Sequence, residues 1–433
     1  MNFIWSSLRH PSQRKIVRFR GNSRLYHELS FSKYGPPGDV LEYRQLEDIP
    51  AARRPAGQQQ HQQQQQQLVQ IDFIYAPMHP AHLNTIEGKY PDPSTLKVPK
   101  WNDCFETRCI GGGEGVARVS AMHGENSAQV VDIFNRPIEI GDFVIMAQPG
   151  FGTWRSYANV IANEHVIKLP QHAFPRTNSK IDDGETNSLL ASAALISTNP
   201  CTAYRIINDF VDLEPGDVVI QNGGASSVGI CVSQLLRERG VDTVSIVRRG
   251  QRTVNHFERL KDYVLNVGKA TLVISEEELC SRKGGGSSLL KNELSKLDNG
   301  GGSALFALPK LALNCVGGGS ALALSKCIAY GGTMVTYGGM SKKPVTIPTG
   351  LLIFSDIRLR GYWQSRYVVE HQANECRMKM VDEIIEYIVS GNLNIGYTEE
   401  FRLGDYRDAL NYNSNTNDGD GLPRKVLLRC TED

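Results

Sequence analysis

The chain has 433 residues, 40% of them hydrophobic and 21% charged, with a formal net charge of +1; this describes a soluble globular protein, not a disordered or fibrous one. Such a balance gives no basis for nucleic acid as the principal partner, and no apolar run approaches the ~20 residues that span a membrane. Nine cysteines scattered without a dense framework favour a reducing compartment, and the length favours two domains.

In chain order, the first element is not part of a fold. Residues 1–27 carry Arg9, Arg14, Lys15, Arg18, Arg20 and Arg24 among four serines, and the first acidic residue is Glu28. Basic, serine-containing and acid-free is the composition of an organellar transit peptide, expected over 1–24; a disordered basic arm is the alternative. A mostly-β domain is expected over 25–198, where "DVLEYRQL", "LVQIDFIYA", "GVARVSAM" and "DFVIMAQ" are short strands between Gly/Pro turns. The tract "GQQQHQQQQQQ" at 57–67 cannot build a core and reads as a disordered insertion. In "IEGKYPDP", residues 86–93, Tyr90 sits in a Gly/Pro turn. A large ring there is either a hydrophobic plug or a group that delivers a proton.

From residue 199 the pattern changes. "DVVIQNGG" is an apolar run ending in glycines, and "SSVGICVSQLLRERG" has Val228, Val232, Leu235 and Leu236 at helical spacing. "VDTVSIVRR" is again β-branched, and "LALNCVGG", "SALALSKCIAYGG" and "TMVTYGG" repeat the alternation. Strand, helix, strand in repetition predicts an α/β fold, a doubly wound parallel sheet over 199–364. The glycine-rich stretches at 282–288 and 298–303 and the Asn-rich 411–421 read as surface loops. A helix at "MVDEIIEYIVSG" and a last strand "KVLLRC" fill the C-terminal section, 365–433. Two domains of different class predict a ligand cleft between them.

The stretch "VVIQNGGASSVG" at 218–229 joins a strand to a helix start, where backbone amides face a phosphate. Gly224 and Gly229 match the outer glycines of G-x-G-x-x-G, with Ser226 in the middle place, a weak motif by itself. About 20 residues on, where a site for NAD would carry an acid for the ribose, stand Arg248 and Arg249, with Arg252 nearby. They either stay solvated at a strand end or fork onto a 2′-phosphate, and the second reading selects NADPH. A catalytic zinc is not expected: Cys104 and Cys109 lack a partner pair, the "GGEG" turn has no histidine, and His79 and His82 of "HPAH" read as turn residues. Carbonyl polarisation then falls to a protein donor, which favours Tyr90 as proton donor over plug.

Eight blocks in order carry a resemblance: "NTIEGKYP", "GGEGVA", "GTWRSYA", "TNPCTAYR", "QNGGASSVG", "LALNCVGG", "GGTMVTYGGMSKKPV" and "LRGYW". From about residue 25 to 427 the chain resembles the mitochondrial trans-2-enoyl-thioester reductases, quinone-oxidoreductase-like members of the zinc-free medium-chain dehydrogenase/reductase superfamily. The resemblance implies a GroES-like catalytic domain plus a Rossmann domain, with 365–433 returning to the former. It also implies a homodimer of the mitochondrial matrix that uses NADPH to reduce 2-enoyl thioesters, carried on acyl carrier protein or CoA, in fatty acid synthesis. Residue by residue, it makes Tyr90 the proton donor and places Asn199, Tyr337, Gly338, Gly339 and Met340 at the nicotinamide end. Ala225, Ser226, Ser227 and Val228 become the phosphate turn, and Arg248 the 2′-phosphate arginine, with Arg249 beside it. Tyr362, Trp363 and Gln364 match a segment near cofactor and acyl chain, and Lys425 a cofactor-contacting lysine. The chain departs from the family pattern at Gly250, where a second arginine is common, at "GGEG" for "GNEG", and at "HPAH" for "NP-x-D".

The implied chemistry sends a hydride to Cβ while the thioester oxygen gains charge, so a preoriented hydroxyl lowers the barrier. With a solution pKa of about 10, Tyr90 is protonated at neutral pH and able to donate. Trp154 and Trp363 either wall an acyl pocket or fill core. The alternatives are a zinc-free NADPH quinone or alkenal reductase, and a non-catalytic NADPH-binding protein of the same fold.

Overall fold

Two kinds of strand sequence build two kinds of sheet in the computed structural model, which describes residues 25–47, 68–90, 108–123, 129–177, 184–281, 286–297, 308–414 and 421–431. The expected transit peptide, the glutamine tract and the 298–303 loop lie outside these residues. Val218–Asn222, Asp242–Val247, Leu311–Asn314 and Thr333–Thr336 are almost wholly buried, as strands covered on both faces by helices must be. With Leu272–Ser275 and Arg358–Gly361 they form an all-parallel sheet of six. From one edge the order is Leu272–Ser275, Asp242–Val247, Val218–Asn222, Leu311–Asn314, Thr333–Thr336, Arg358–Gly361. The chain reverses its direction of travel between Val218–Asn222 and Leu311–Asn314, and such a switch point opens a crevice beyond the carboxyl ends of the strands.

The second sheet has seven strands, antiparallel except for the pair Tyr397–Arg402 and Arg424–Arg429. Its central strand, Leu68–Pro77, pairs along one side with Val116–His123 and along the other with Tyr157–Ile161 and the C-terminal Arg424–Arg429. A smaller antiparallel sheet joins Glu42–Leu46, Tyr26–Phe31 and Cys109–Ile110. The α/β architecture of a mostly-β lobe plus a doubly wound sheet is therefore the one adopted.

One hydrophobic cluster links the lobes. Tyr75, Val116 and Phe143 meet Val219, Leu313 and Val335 across Ile206, Leu236 and Ile384. Those three come from the helices Asn199–Asn208, Ser227–Arg237 and Glu375–Val389. The site described below sits on this shared core.

Three local expectations are corrected, and one open alternative is decided. Asp39 and Val40 belong to a short helix, Pro37–Val40, and not to a strand, because a proline at its first turn presets the helical φ. Residues 286–288 open the helix Gly286–Leu297, and 411–414 close the helix Tyr406–Ser414, so both apparent loops are partly helical. Of the two readings left open for Trp154, wall of an acyl pocket or core filler, the structure bears out the second. The residue is fully buried, donates from Nε1 to the Pro77 carbonyl (3.2 Å), and packs so closely that a Cβ on Gly111 would lie 2.2 Å from its ring.

Candidate active site at the junction of the two sheets

The turn after Val218–Asn222 works through its backbone. Gly223 takes φ +63°, a conformation that glycine adopts without strain. A Cβ on Gly224 would meet the Ser245 side chain at 2.5 Å, and one on Gly229 would meet the Gly223 and Gly224 carbonyls at 2.7 and 2.8 Å. Ser226, in the middle place of the motif, caps the helix Ser227–Arg237: its Oγ accepts from the Gly229 amide at 3.2 Å. The serine therefore takes up an orphan amide, and the first amides of the helix remain for an anion. Ala225, Ser226 and Ser227 line a pocket together with Arg424 and Lys425.

At the switch point, side chains lock the strand ends. Asn222 Nδ2 donates to Asn314 Oδ1 (2.8 Å) and Ser320 Oγ (3.2 Å), and its Oδ1 accepts from the Cys315 amide (2.8 Å). The Tyr337–Met340 segment lies against this corner, with the Tyr337 amide bonded to the Asn314 carbonyl and the Met340 amide to that of Cys315. Tyr337 turns inward beside Ser226 and Cys315, and burial pushes its pKa far up. Gly338 packs tightly, with a Cβ there 3.1 Å from the Cys315 carbonyl, whereas Gly339 faces open space and Met340 is exposed.

Arg248 and Arg249 stand exposed at the carboxyl end of Asp242–Val247. The turn they open is held by Glu277, whose carboxylate accepts from the amides of Arg249 (3.1 Å) and Gly250 (3.0 Å). Arg252 tucks back toward the Arg248 carbonyl at 3.4 Å.

Tyr90 ends a different construction. Pro80 opens a helix, Pro80–Ile86, and Gly88 at φ +71° turns the chain so that the amides of Lys89 and Tyr90 bond the Asn84 carbonyl. The Tyr90 hydroxyl accepts from Trp363 Nε1 at 3.1 Å, their rings meeting edge to face. Burial raises the Tyr90 pKa, and hydrogen bonding from Trp363 and Ser365 opposes that rise. Gln364 follows, donating to the Ser197 carbonyl (3.2 Å) and accepting from the Tyr362 hydroxyl. Tyr362 itself turns away to pack edge-on against Phe210. Asn199 begins the helix two residues after Ser197; it is 6% exposed, and among the described residues its Nδ2 has no hydrogen-bond partner.

The histidines of "HPAH" are not turn residues in solvent. His79 is 2% exposed and bonds Glu114, also 2% exposed, through Nε2. Lys425 Nζ approaches the other ring nitrogen, Nδ1, at 3.5 Å. His82 Nδ1 donates to the Pro77 carbonyl at 3.2 Å, with its ring 5.1 Å from that of His79. Burial pushes Glu114 up to about 7, His82 down to about 3, and His79 well below its ordinary value.

The junction thus gathers Tyr90, Trp363, Gln364 and Asn199 on one side and Ala225–Val228, Tyr337 and Lys425 on the other. Glu114 and Glu277 escaped the sequence reading. The "GGEG" turn drew attention for its missing histidine, whereas an acid between glycines next to the apolar start of Val116–His123 was the available signal. For Glu277 no local signal exists, since its partners are 27 and 28 residues away.

Fold and site define the class, a two-domain reductase of the medium-chain dehydrogenase/reductase superfamily. No family model matches the chain. It is 35% identical over 383 residues to the mitochondrial enoyl-[acyl-carrier-protein] reductase of Caenorhabditis elegans, covering 88% of this chain and 90% of the relative. The Etr1p complex with NADP and crotonyl-CoA superposes with a TM-score of 0.71 at 26% identity, over 94% of this chain and all of that one. The Etr1p/Etr2p 2-enoyl thioester reductase heterodimer of Candida tropicalis gives 0.71 at 27%, over 94% of this chain and 100% of that one. The chain belongs to the family of mitochondrial enoyl-[acyl-carrier-protein] reductases.

Proposed function

We propose that the chain performs its family's reaction at the Tyr90 cleft: NADPH-dependent reduction of a trans-2-enoyl thioester, carried on acyl carrier protein or CoA, in mitochondrial fatty acid synthesis. The observation that carries this reading is the Tyr90–Trp363 pair at the junction. The indole N–H fills an acceptor position on the phenol oxygen, so the phenol's own hydrogen is left to point at a substrate oxygen. Because burial raises its pKa, Tyr90 stays protonated across the working range and meets the developing oxyanion as a donor.

The glycine cradle and the unpaired Asn199 amide fit a dinucleotide. Ala225, Ser226, Ser227 and Val228 would hold its pyrophosphate, Arg248 with Arg249 its 2′-phosphate, and Asn199 with Tyr337, Gly338, Gly339 and Met340 its nicotinamide end. Lys425 would contact the cofactor, and Trp363 and Gln364 would frame the acyl side, with Tyr362 packed behind them against Phe210. Bound there, NADPH supplies the hydride. The mixed arrangement of domains is 25–198, 199–364 and 365–433, and the basic segment 1–24 directs import to the matrix.

The test follows NADPH absorbance with trans-2-hexenoyl-CoA, with NADH and a quinone in parallel. Oxidation of NADPH with the thioester is expected, and Tyr90→Phe lowers turnover by on the order of 10²–10³. Oxidation only with the quinone transfers the assignment to a quinone reductase.

The chain assembles as a homodimer through the edge of the parallel sheet. Arg358–Gly361 is an outermost strand with all four residues exposed, and Ile353 and Phe354 on the preceding helix are 65% and 79% exposed. A bare edge beside apolar side chains fits strand pairing with a second copy. Phe354→Asp should shift the sedimentation coefficient to that of a monomer; an unchanged dimer rules out this edge.

A further inference from the structure

The buried polar chain from Glu114 through His79 to Lys425 has no part in the chemistry at Tyr90. An ammonium group only donates, so His79 Nδ1, facing Lys425 Nζ at 3.5 Å, is the accepting nitrogen. The proton of the neutral ring then sits on Nε2 and is donated to Glu114 Oε1. His82 carries the opposite tautomer, since its Nδ1 donates to the Pro77 carbonyl. Glu114 in turn faces Thr198, next to Asn199, so the chain of contacts crosses the junction from the nicotinamide side to the phosphate side. Lys425 ends it on the wall of the pocket formed with Ala225, Ser226 and Ser227 at the start of Ser227–Arg237.

We infer that His79 and Glu114 are positioning residues for Lys425, a polar strut that presents its ammonium to the phosphate turn of the cofactor site. This rests on the reading of Ala225–Val228 as that turn. The arrangement differs in kind from a direct Lys–Glu ion pair. A carboxylate touching the ammonium would compete with an incoming phosphate, whereas an imidazole between them uses one of the three ammonium hydrogens and leaves two free. It also fixes a long, flexible side chain before the ligand arrives, which removes part of the ordering cost of binding. The histidine is a departure of this chain, which writes "HPAH" where the family pattern has "NP-x-D". An asparagine amide would offer the same pairing of one acceptor and one donor on neighbouring atoms.

The test measures the NADPH dissociation constant, with kcat and KM, for the full chain and four variants: Lys425→Met, His79→Leu, His79→Asn and the double variant Lys425→Met/His79→Leu. Lys425→Met should weaken NADPH about 10–100-fold, as losing a charged hydrogen bond does. His79→Leu should weaken it about tenfold with kcat at saturating NADPH within about twofold, while His79→Asn stays within about threefold of the parent. In the Lys425→Met background His79→Leu should add nothing. A full additional loss in that background, or no loss from His79→Leu alone, overturns the strut. Wild-type NADPH affinity in Lys425→Met shows that the ammonium does not reach the cofactor and overturns the strut, whereas wild-type affinity in Gly229→Ala would overturn the phosphate-turn reading itself and take the inference with it. A second measurement needs no buried leucine: histidine labelled with nitrogen-15 should show His79 as the Nε2–H tautomer, identified by its loss in His79→Asn. The Nδ1–H tautomer would exclude Lys425 as its donor and overturn the proposal.

Discussion

The glycine turn and the tyrosine cleft belong to one proposed site, yet they are made by opposite means. The turn is backbone: three glycines let strand and helix close to distances that a Cβ would forbid, and one serine caps the helix. The cleft is side chain: a phenol held by an indole 273 positions away. A backbone device tolerates few substitutions and is written in consecutive letters. A side-chain device is graded, and its parts are scattered.

The sharpest way to break this contrast is Gly229→Ala. The three nearest atoms to the added Cβ are all backbone, at 2.7–2.9 Å, so strand and helix must part. Overpacking of that kind costs about 1–3 kcal/mol or more, which corresponds to about a tenfold to hundredfold loss where it distorts the binding turn. NADPH titration checks it. Gly319→Ala is the control: it lies in the helix Gly318–Ser325 with nothing within 4 Å of the added methyl, and affinity should hold. Equal tolerance at both positions would show that the cradle is looser than its geometry.

This division explains what was legible. The parallel sheet could be read because strands buried on both faces are apolar runs punctuated by glycine, and "VVIQNGGASSVG" places its turn in one line of text. Arg248 and Arg249 followed from the same register. Tyr90 could be singled out as a ring misplaced in a turn, but its partner Trp363 came only with the resemblance, as a neighbour of cofactor and acyl chain. The histidines were misread because two residues flanking a Pro-Ala pair look like a turn. In the fold, Pro80 instead starts a helix and drives His79 into the core. Burial depends on what packs from elsewhere, here Glu114 and Lys425, and local spacing carries no trace of it.

A smaller effect probes the side-chain half. Trp363→Phe keeps the aromatic contact and removes the donor to Tyr90. Losing one hydrogen bond of ordinary strength should lower kcat about 2–10-fold, well short of Tyr90→Phe. The direction in pH is also set: the indole N–H opposes the burial-driven rise of the Tyr90 pKa, so any alkaline limb of the kcat profile moves to higher pH in the variant. A loss as large as that of Tyr90→Phe would mean the indole does more than orient the phenol.

The gentlest perturbation is Glu114→Gln, read as stability against pH. Burial lifts the Glu114 pKa to about 7 from an ordinary 4.5, with Thr198, His82 and Lys425 pulling the other way. A carboxyl whose folded pKa lies above its unfolded one contributes stability that is fully present below about pH 4.5 and is lost as pH rises through about 7, because the native state must then carry a buried charge. The glutamine keeps an Oε1 acceptor for His79 but has nothing to ionise. The melting temperature of the parent should therefore fall relative to Glu114→Gln between about pH 5 and 8, with an upper bound on the order of 3 kcal/mol across that window. A flat gap near zero would mean that Glu114 stays protonated throughout, while a gap that is flat but already wide at pH 5 would mean that it is ionised there, with Lys425 neutralising it through His79. The strut would then be a long-range ion pair in the resting protein, and phosphate binding would have to separate those charges to use the lysine.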